Sequence, residues 1–322
     1  VIQMNISDIR AGLRTLVENG ETTLTRIASE SGVALSTVSG FVNDKYNGNM
    51  ESVGRTLERW LENYHRAEEL PEPPRFVETA TARQIWTSMR FANLTGTIAV
   101  ICGNPGVGKS EAAREFCRTN NNVWMITIAP SRASTLECLT ELAEELGMNN
   151  APCRKGPLSR NLRRRLKGTQ GLVIVDEADH LDTEALEELR LLQESACIGL
   201  VLMGNHRVYS NMTANGDRTI EFARLFSRIA KRTAINKTKE DDVNAIADAW
   251  QITGKNEREL LQQIAQTPGA LRIMNQTLRL AVMNAFGKGE RVNEDYLREA
   301  YKELDQDVDV SLLLGVQGDA ES

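Results

Sequence analysis

The stretch Gly103-Asn-Pro-Gly-Val-Gly-Lys109-Ser110 constrains this chain more than any other. It satisfies the phosphate-loop pattern G-x-x-x-x-G-K-[ST] in full, in the context that pattern requires. Residues 97–102 form a short apolar run that reads as a buried strand, and residues 110–118 read as a helix. Glycines let backbone N–H groups close around phosphate oxygens, and the helix that follows adds a partly positive end. Lys109 is placed to neutralise the β and γ phosphates of ATP, and Ser110 to hold Mg2+. Gly103, Asn104, Pro105, Gly106, Val107, Gly108 and Glu111 complete the nucleotide-contacting segment.

The other half of such a site follows further along. Gly171-Leu-Val-Ile-Val-Asp176-Glu177 is an apolar run ending in two carboxylates. Continuous apolar character suits a central parallel strand. At its tip Asp176 can hold Mg2+ through water and Glu177 can polarise an attacking water, so the expected chemistry is hydrolysis. A further strand, residues 198–204, is followed by Asn205, a polar residue placed to orient the water or touch the γ phosphate. Beyond it stand Arg224 and Arg228, either of which can reach a neighbouring subunit's nucleotide. Arg228 is the first candidate and Arg224 the reserve.

The N-terminal part, residues 4–66, looks all-helical. Within it, residues 24–41 fit a helix-turn-helix and resemble the lambda-repressor-like domains. Ala28 is small where two helices cross, Gly32 permits the left-handed turn residue, and Ile27, Val33, Val38 and Phe41 fall at core positions. Ser36 is expected to cap the second helix, whose exposed face carries Thr37, Ser39 and Gly40. Seven Lys or Arg against eight Asp or Glu make this region nearly neutral, unlike a strong DNA binder. Lys45, Tyr46, Asn47 and Asn49 are candidate phosphate contacts, and protein contact is the alternative use. Residues 36–40 contain no Arg, Asn or Gln for bidentate base contacts, so sequence-specific readout is not expected.

Positive charge concentrates elsewhere. Residues 154–167 hold seven basic residues and no acidic one, in a chain of net charge −6. That contrast points to a site for the phosphate backbone of DNA. Arg154 and Lys155 are expected in a loop with Gly156 and Pro157. Ser159 would then cap a helix carrying Arg160, Arg163, Arg164 and Lys167. No aromatic residue interleaves with the run, which favours duplex backbone over stacked single strands.

The order phosphate loop, Asp-Glu strand, polar strand tip and arginine resembles the AAA+ ATPases. That resemblance implies a helical lid at the C-terminal end, where residues 241–250, 257–265, 270–286 and 293–304 show helical spacing of apolar residues. It also implies that Arg272 senses the γ phosphate from the lid. The expected fold is therefore an α/β AAA+ phosphate-loop core with a parallel sheet and a C-terminal helical lid, preceded by a small all-α helix-turn-helix domain. The expected divisions are 4–66 for the helix-turn-helix domain, 67–78 for a proline-bearing linker and 79–236 for the core. The lid takes 237–304, and an acidic loose tail 305–322.

From Met4 to about Val310, including Gly103–Ser110 and Val173-Ile-Val-Asp-Glu-Ala-Asp-His180, the chain is similar to the transposition protein B family of Mu-like phages. That resemblance implies an ATP-dependent ATPase that binds duplex DNA without sequence preference and assembles on it as a helical homo-oligomer. Such proteins deliver target DNA to a transposase, stimulate strand transfer and take part in target immunity, in the host cytoplasm. It also implies a DNA or transposase contact near the C-terminal helices, for which Lys231, Arg232, Lys237 and Lys239 are the local cations. A helicase loader and a nucleotide-gated scaffold are the rival readings. An enhancer-binding regulator is disfavoured because its Gly-Ala-Phe-Thr-Gly-Ala loop is absent from the sequence. The five cysteines show no C-x-x-C pair, so reduced thiols and no zinc site are expected. No apolar run approaches the ~18 residues of a membrane helix, so no membrane partner is expected. No signal-peptide pattern opens the chain, and Met4 reads as the natural start.

Overall fold

The computed structural model describes residues 5–69, 74–206, 208 and 228–304. Met4, Arg224, part of the linker and the acidic tail lie outside these residues. The chain divides into two compact units, Val1–Glu72 and Pro73–Ser322.

The first unit contains α1 (Ile6–Glu18), α2 (Leu24–Ser31), α3 (Leu35–Val42) and α4 (Met50–Glu69). Thr23 caps α2 by accepting the Arg26 N–H, and Gly32 ends it at φ 71°, a left-handed position that suits glycine. Ile9, Leu13, Ile27, Val38, Phe41 and Leu57 form its buried centre, which is the expected helix-turn-helix packing. Two details differ. Ala34, not Ser36, stands at the N-cap of α3, with no side-chain cap. α3 starts after a three-residue turn, Gly32 to Ala34, and puts Val38, Phe41 and Val42 on one inward face. Nor is Gly40 on an open face: its carbonyl accepts the Lys45 and Tyr46 N–H groups at 2.7 and 3.1 Å. A Cβ there would meet Tyr46 at 3.4 Å.

The second unit is built on five parallel strands in the order β2-β3-β4-β1-β5. They are β1 (Ile98–Gly103), β2 (Val123–Thr127), β3 (Leu172–Asp176), β4 (Gly199–Gly204) and β5 (Ile229–Ile235). Every residue of β1, β3 and β4 is buried, as the continuous apolar runs require of strands covered on both faces. One face packs on α5 (Ala80–Thr95) and α6 (Lys109–Thr119) through Ile85, Met89 and Phe116. The other packs on α7 (Thr135–Glu145), α8 (Lys155–Leu166) and α9 (Thr183–Ala196) through Leu139, Leu162 and Leu189. Four further helices, α10 (Glu240–Ala249), α11 (Lys255–Ile264), α12 (Ala270–Phe286) and α13 (Glu294–Leu304), close around their own core.

The expected loop at Arg154–Pro157 is a helix. α8 begins at Lys155 with Arg154 as its N-cap, so Gly156 and Pro157 lie in its first turn. Proline is tolerated there because the first N–H groups of a helix have no intrahelical acceptor. Ser159 is not a cap either; it is buried one turn in and donates to Glu188 of α9 at 2.5 Å.

Candidate nucleotide-binding cleft

Ligands of open α/β sheets bind at the carboxyl ends of the strands. Here β1, β3 and β4 bring Gly103, Asp176 and Gly204 to that edge, since Cys102 pairs in register with Gly204 and Thr127 with Asp176. The loop after β1 is shaped by its glycines. Gly106 and Gly108 sit at φ 83° and 92°. A Cβ on Gly103 would lie 2.2 Å from the Ile235 carbonyl oxygen, and one on Gly106 would lie 1.9 Å from that of Gly269. The loop is thus wedged between the end of β5 and the start of α12. Asn104 fastens the first contact: its N–H donates to Ile235 O at 3.2 Å and its amide to Asn236 O at 2.7 Å. Val107 points into the core.

Lys109 Nζ donates to the Gly103 and Asn104 carbonyls at 2.8 and 2.9 Å. Burial pushes its ammonium below the usual lysine range, with Asp176 and Glu177 pulling the other way. A partly desolvated lysine whose hydrogen bonds go to loop carbonyls is well matched to an incoming polyphosphate. Ser110 Oγ donates to Asp176 Oδ2 at 2.6 Å, and the other carboxylate oxygen accepts the Glu177 N–H at 3.0 Å. This hydroxyl–carboxylate pair is an oxygen donor set of the hard kind that Mg2+ prefers. Glu177 itself adopts a left-handed conformation at φ 55° and is exposed. Asn205 donates through Nδ2 to Asp179 Oδ2 at 2.6 Å. The bareness of Gly204 allows this, because a Cβ there would stand 2.3 Å from Asp179.

These residues share one cleft of about 640 Å3. Lys109, Ser110, Asp176, Glu177, Asn205 and Arg272 all line it, and Glu111, which pairs with Arg114, stands at its edge. Arg228 does not line it: exposed at the start of β5, it pairs with Glu194 of α9 at 3.3 Å. Sequence reasoning passes over the apolar half of the cleft, formed by Phe76, Val77, Ile246 and Trp250. Phe76 stacks on Trp86 at 5.7 Å, and Trp86 Nε1 donates to Ala112 O of α6 at 2.7 Å. These residues come from the segment before α5 and from α10, so no local pattern announces them.

The basic helix lies on the same unit. Arg154, Arg160, Arg164, Arg165 and Lys167 are exposed. Lys155, also exposed, is already paired with Glu184 of α9 at 2.8 Å. Arg163 is half-buried, with its Nε turned inward. Arg165 is the exposed cation that the sequence reading leaves out. Of the C-terminal cations, Lys231 sits over the Phe91 ring at 5.6 Å and Lys239 donates to Gln84 at 2.8 Å.

A phosphate loop, an Asp-Glu strand tip and a helical lid over one parallel sheet define an AAA+ nucleotide-binding protein. An AAA domain model matches residues 93–212. The fold is also that of the Aeropyrum pernix ORC2 protein in its ADPNP–ADP complexes, with a TM-score of 0.53 at 16% identity over 77% of this chain and 73% of that one. The model for the C-terminal part of the Mu B transposition protein matches residues 227–304. The chain is 77% identical to the ATP-dependent target DNA activator B of Escherichia phage Mu and to that of Escherichia phage D108, over 97% of its length and 99% of theirs. It belongs to this family of phage DNA transposition proteins. Among the described residues no helix is long and apolar enough to cross a membrane.

Proposed function

We propose that the chain is an ATPase whose ATP-bound form assembles on duplex DNA without sequence preference and presents that DNA to a transposase. The observation that carries this reading is the pairing, on one compact unit, of a cleft lined by the phosphate loop, Asp176 and Glu177 with a helix face that exposes several cations. The two are joined directly in the chain: α8 leads through one short turn into β3, whose tip bears Asp176 and Glu177.

Lys109 and the loop N–H groups hold the phosphates of ATP. Ser110 and Asp176 would hold Mg2+, which would supply charge neutralisation to the phosphates. Glu177 takes up the proton of the attacking water, Asn205 orients that water, and Arg272 contacts the γ phosphate from the lid. The apolar half of the cleft takes the base. Arg228 exchanges Glu194 for a neighbour's nucleotide in the assembly, with Arg224 in reserve. ATP therefore ties subunits together and hydrolysis loosens them. Arg154, Lys155, Arg160, Arg164 and Lys167, with Arg165 added and Arg163 at the margin, grip DNA phosphates. Repetition of that grip along a helical homo-oligomer multiplies weak contacts into avidity. Transposase contact, hydrolysis stimulated by it and target immunity in the host cytoplasm complete the reading. We assign the helix-turn-helix unit (4–66), linker (67–78), core (79–236), lid (237–304) and tail (305–322) to that scheme.

The test is binding to random-sequence duplex DNA with ATP, with ADP and with no nucleotide at fixed salt, following affinity and particle size together. Large assemblies on DNA with ATP alone are expected, and are lost in Lys109→Ala. Binding indifferent to nucleotide, or demanding a single strand, refutes the proposal and favours a scaffold or a helicase loader.

A further inference from the structure

Asp242 is a fully buried acidic residue, yet it stands outside the phosphate-binding machinery. It lies in the first turn of α10 and reaches across to the first turn of α5. Its Oδ1 accepts the Thr81 N–H at 3.0 Å, and its Oδ2 accepts the Thr81 hydroxyl at 2.5 Å. An isolated buried carboxylate is costly, whereas one holding two donors at a helix N-terminus is stabilised by both the hydrogen bonds and the helix dipole.

Both segments that it joins line the cleft. Thr79 and Ala82, close to Thr81 in the chain, belong to its lining. So do Ile246 and Trp250, which follow Asp242 by one and two helical turns. Thr79 is itself fixed, accepting the Ala82 N–H at 3.0 Å. Lys239, just before α10, adds an exposed second tie by donating to Gln84 of α5.

We infer that Asp242 is a positioning residue that sets the width of the base-binding slot, so that it acts on recognition of the nucleoside and not of the phosphates. The inference rests on the reading of the cleft as a nucleotide site. The phosphate loop has ties of its own that do not involve Asp242: Asn104 donates to Ile235 O through its N–H and to Asn236 O through its amide.

Titration calorimetry of the full chain with Mg-ATP and with inorganic tripolyphosphate separates the two halves. Asp242→Asn keeps the shape but replaces one of the two acceptor oxygens with an NH2 donor; Thr81→Val removes one donor and leaves one carboxylate oxygen unpaired; Thr81→Ser keeps both bonds. The first two are expected to weaken ATP about tenfold, or about 1.4 kcal/mol, while tripolyphosphate affinity changes less than about twofold and Thr81→Ser binds like the parent. Where Asp242→Asn loses its cooperative melt, Thr81→Val is read by itself. Parental ATP affinity in the folded variants, or equal losses for both ligands, overturns the role of Asp242 alone. A parent chain that binds tripolyphosphate as tightly as ATP overturns the base-binding slot itself.

Discussion

The helix-turn-helix unit and α8 both carry several arginines, but the two regions use that charge differently. In the N-terminal unit Arg10 and Arg14 of α1 donate to the Phe41 and Val42 carbonyls at the end of α3, at 2.8 and 2.7 Å. Arg10 also pairs with Asp44, Arg26 with Glu30 and Arg55 with Glu51. These cations satisfy a helix C-terminus or a neighbouring carboxylate. On α8 the arrangement is reversed. Leu158, Leu162 and Leu166 anchor the helix to the core, and Arg160, Arg164 and Lys167 recur along the opposite, exposed face. A count of basic residues therefore misleads, because what matters for phosphate binding is the charge left available once internal bonds are made.

The contrast can be broken most forcefully by reversing charge on α8. Arg160→Glu with Arg164→Glu is expected to lower ATP-dependent affinity for duplex DNA about a hundredfold at fixed low salt. ATP affinity, measured on the same protein, should stay unchanged. Arg14→Ala should act in the other direction, on stability: loss of a charged donor at the end of α3 is expected to cost the N-terminal unit about 1.5–3 kcal/mol. Thermal melting reads that loss, and DNA affinity of the folded protein is expected to stay within about threefold. The smallest effect sharpens the comparison within α8 itself. Glu184→Gln frees Lys155 from an exposed pair worth little in water, so DNA affinity should rise about two- to threefold in a titration. A fall instead would mean that Glu184 orients Lys155 for DNA.

Much of this arrangement is legible in the sequence. The buried strands β1, β3 and β4 are continuous apolar runs, and residues of the phosphate loop line one cleft with Asp176, Glu177, Asn205 and Arg272. β5 is not legible, because as an edge strand it exposes alternate residues and carries Lys231 and Arg232. The start of α8 is hidden by Gly156 and Pro157, which signal a loop except in the first turn of a helix. The apolar half of the cleft brings Phe76 and Val77 together with Ile246 and Trp250, and the Asp242–Thr81 clamp joins residues 161 positions apart. Neither periodicity nor a short motif can report contacts of that kind, which arise only when the lid helices return to α5.

The dependence of ATP-driven DNA binding on salt measures the available charge most directly. The logarithm of affinity against the logarithm of salt concentration should be compared for the parent, for Arg164→Ala with Lys167→Ala, and for Lys45→Ala with Arg59→Ala. If α8 is the phosphate grip, the slope per bound subunit shrinks by about two in the α8 variant and is unchanged in the N-terminal one. The opposite pattern, with the slope lost only in the N-terminal variant, would contradict that assignment and return DNA contact to the helix-turn-helix.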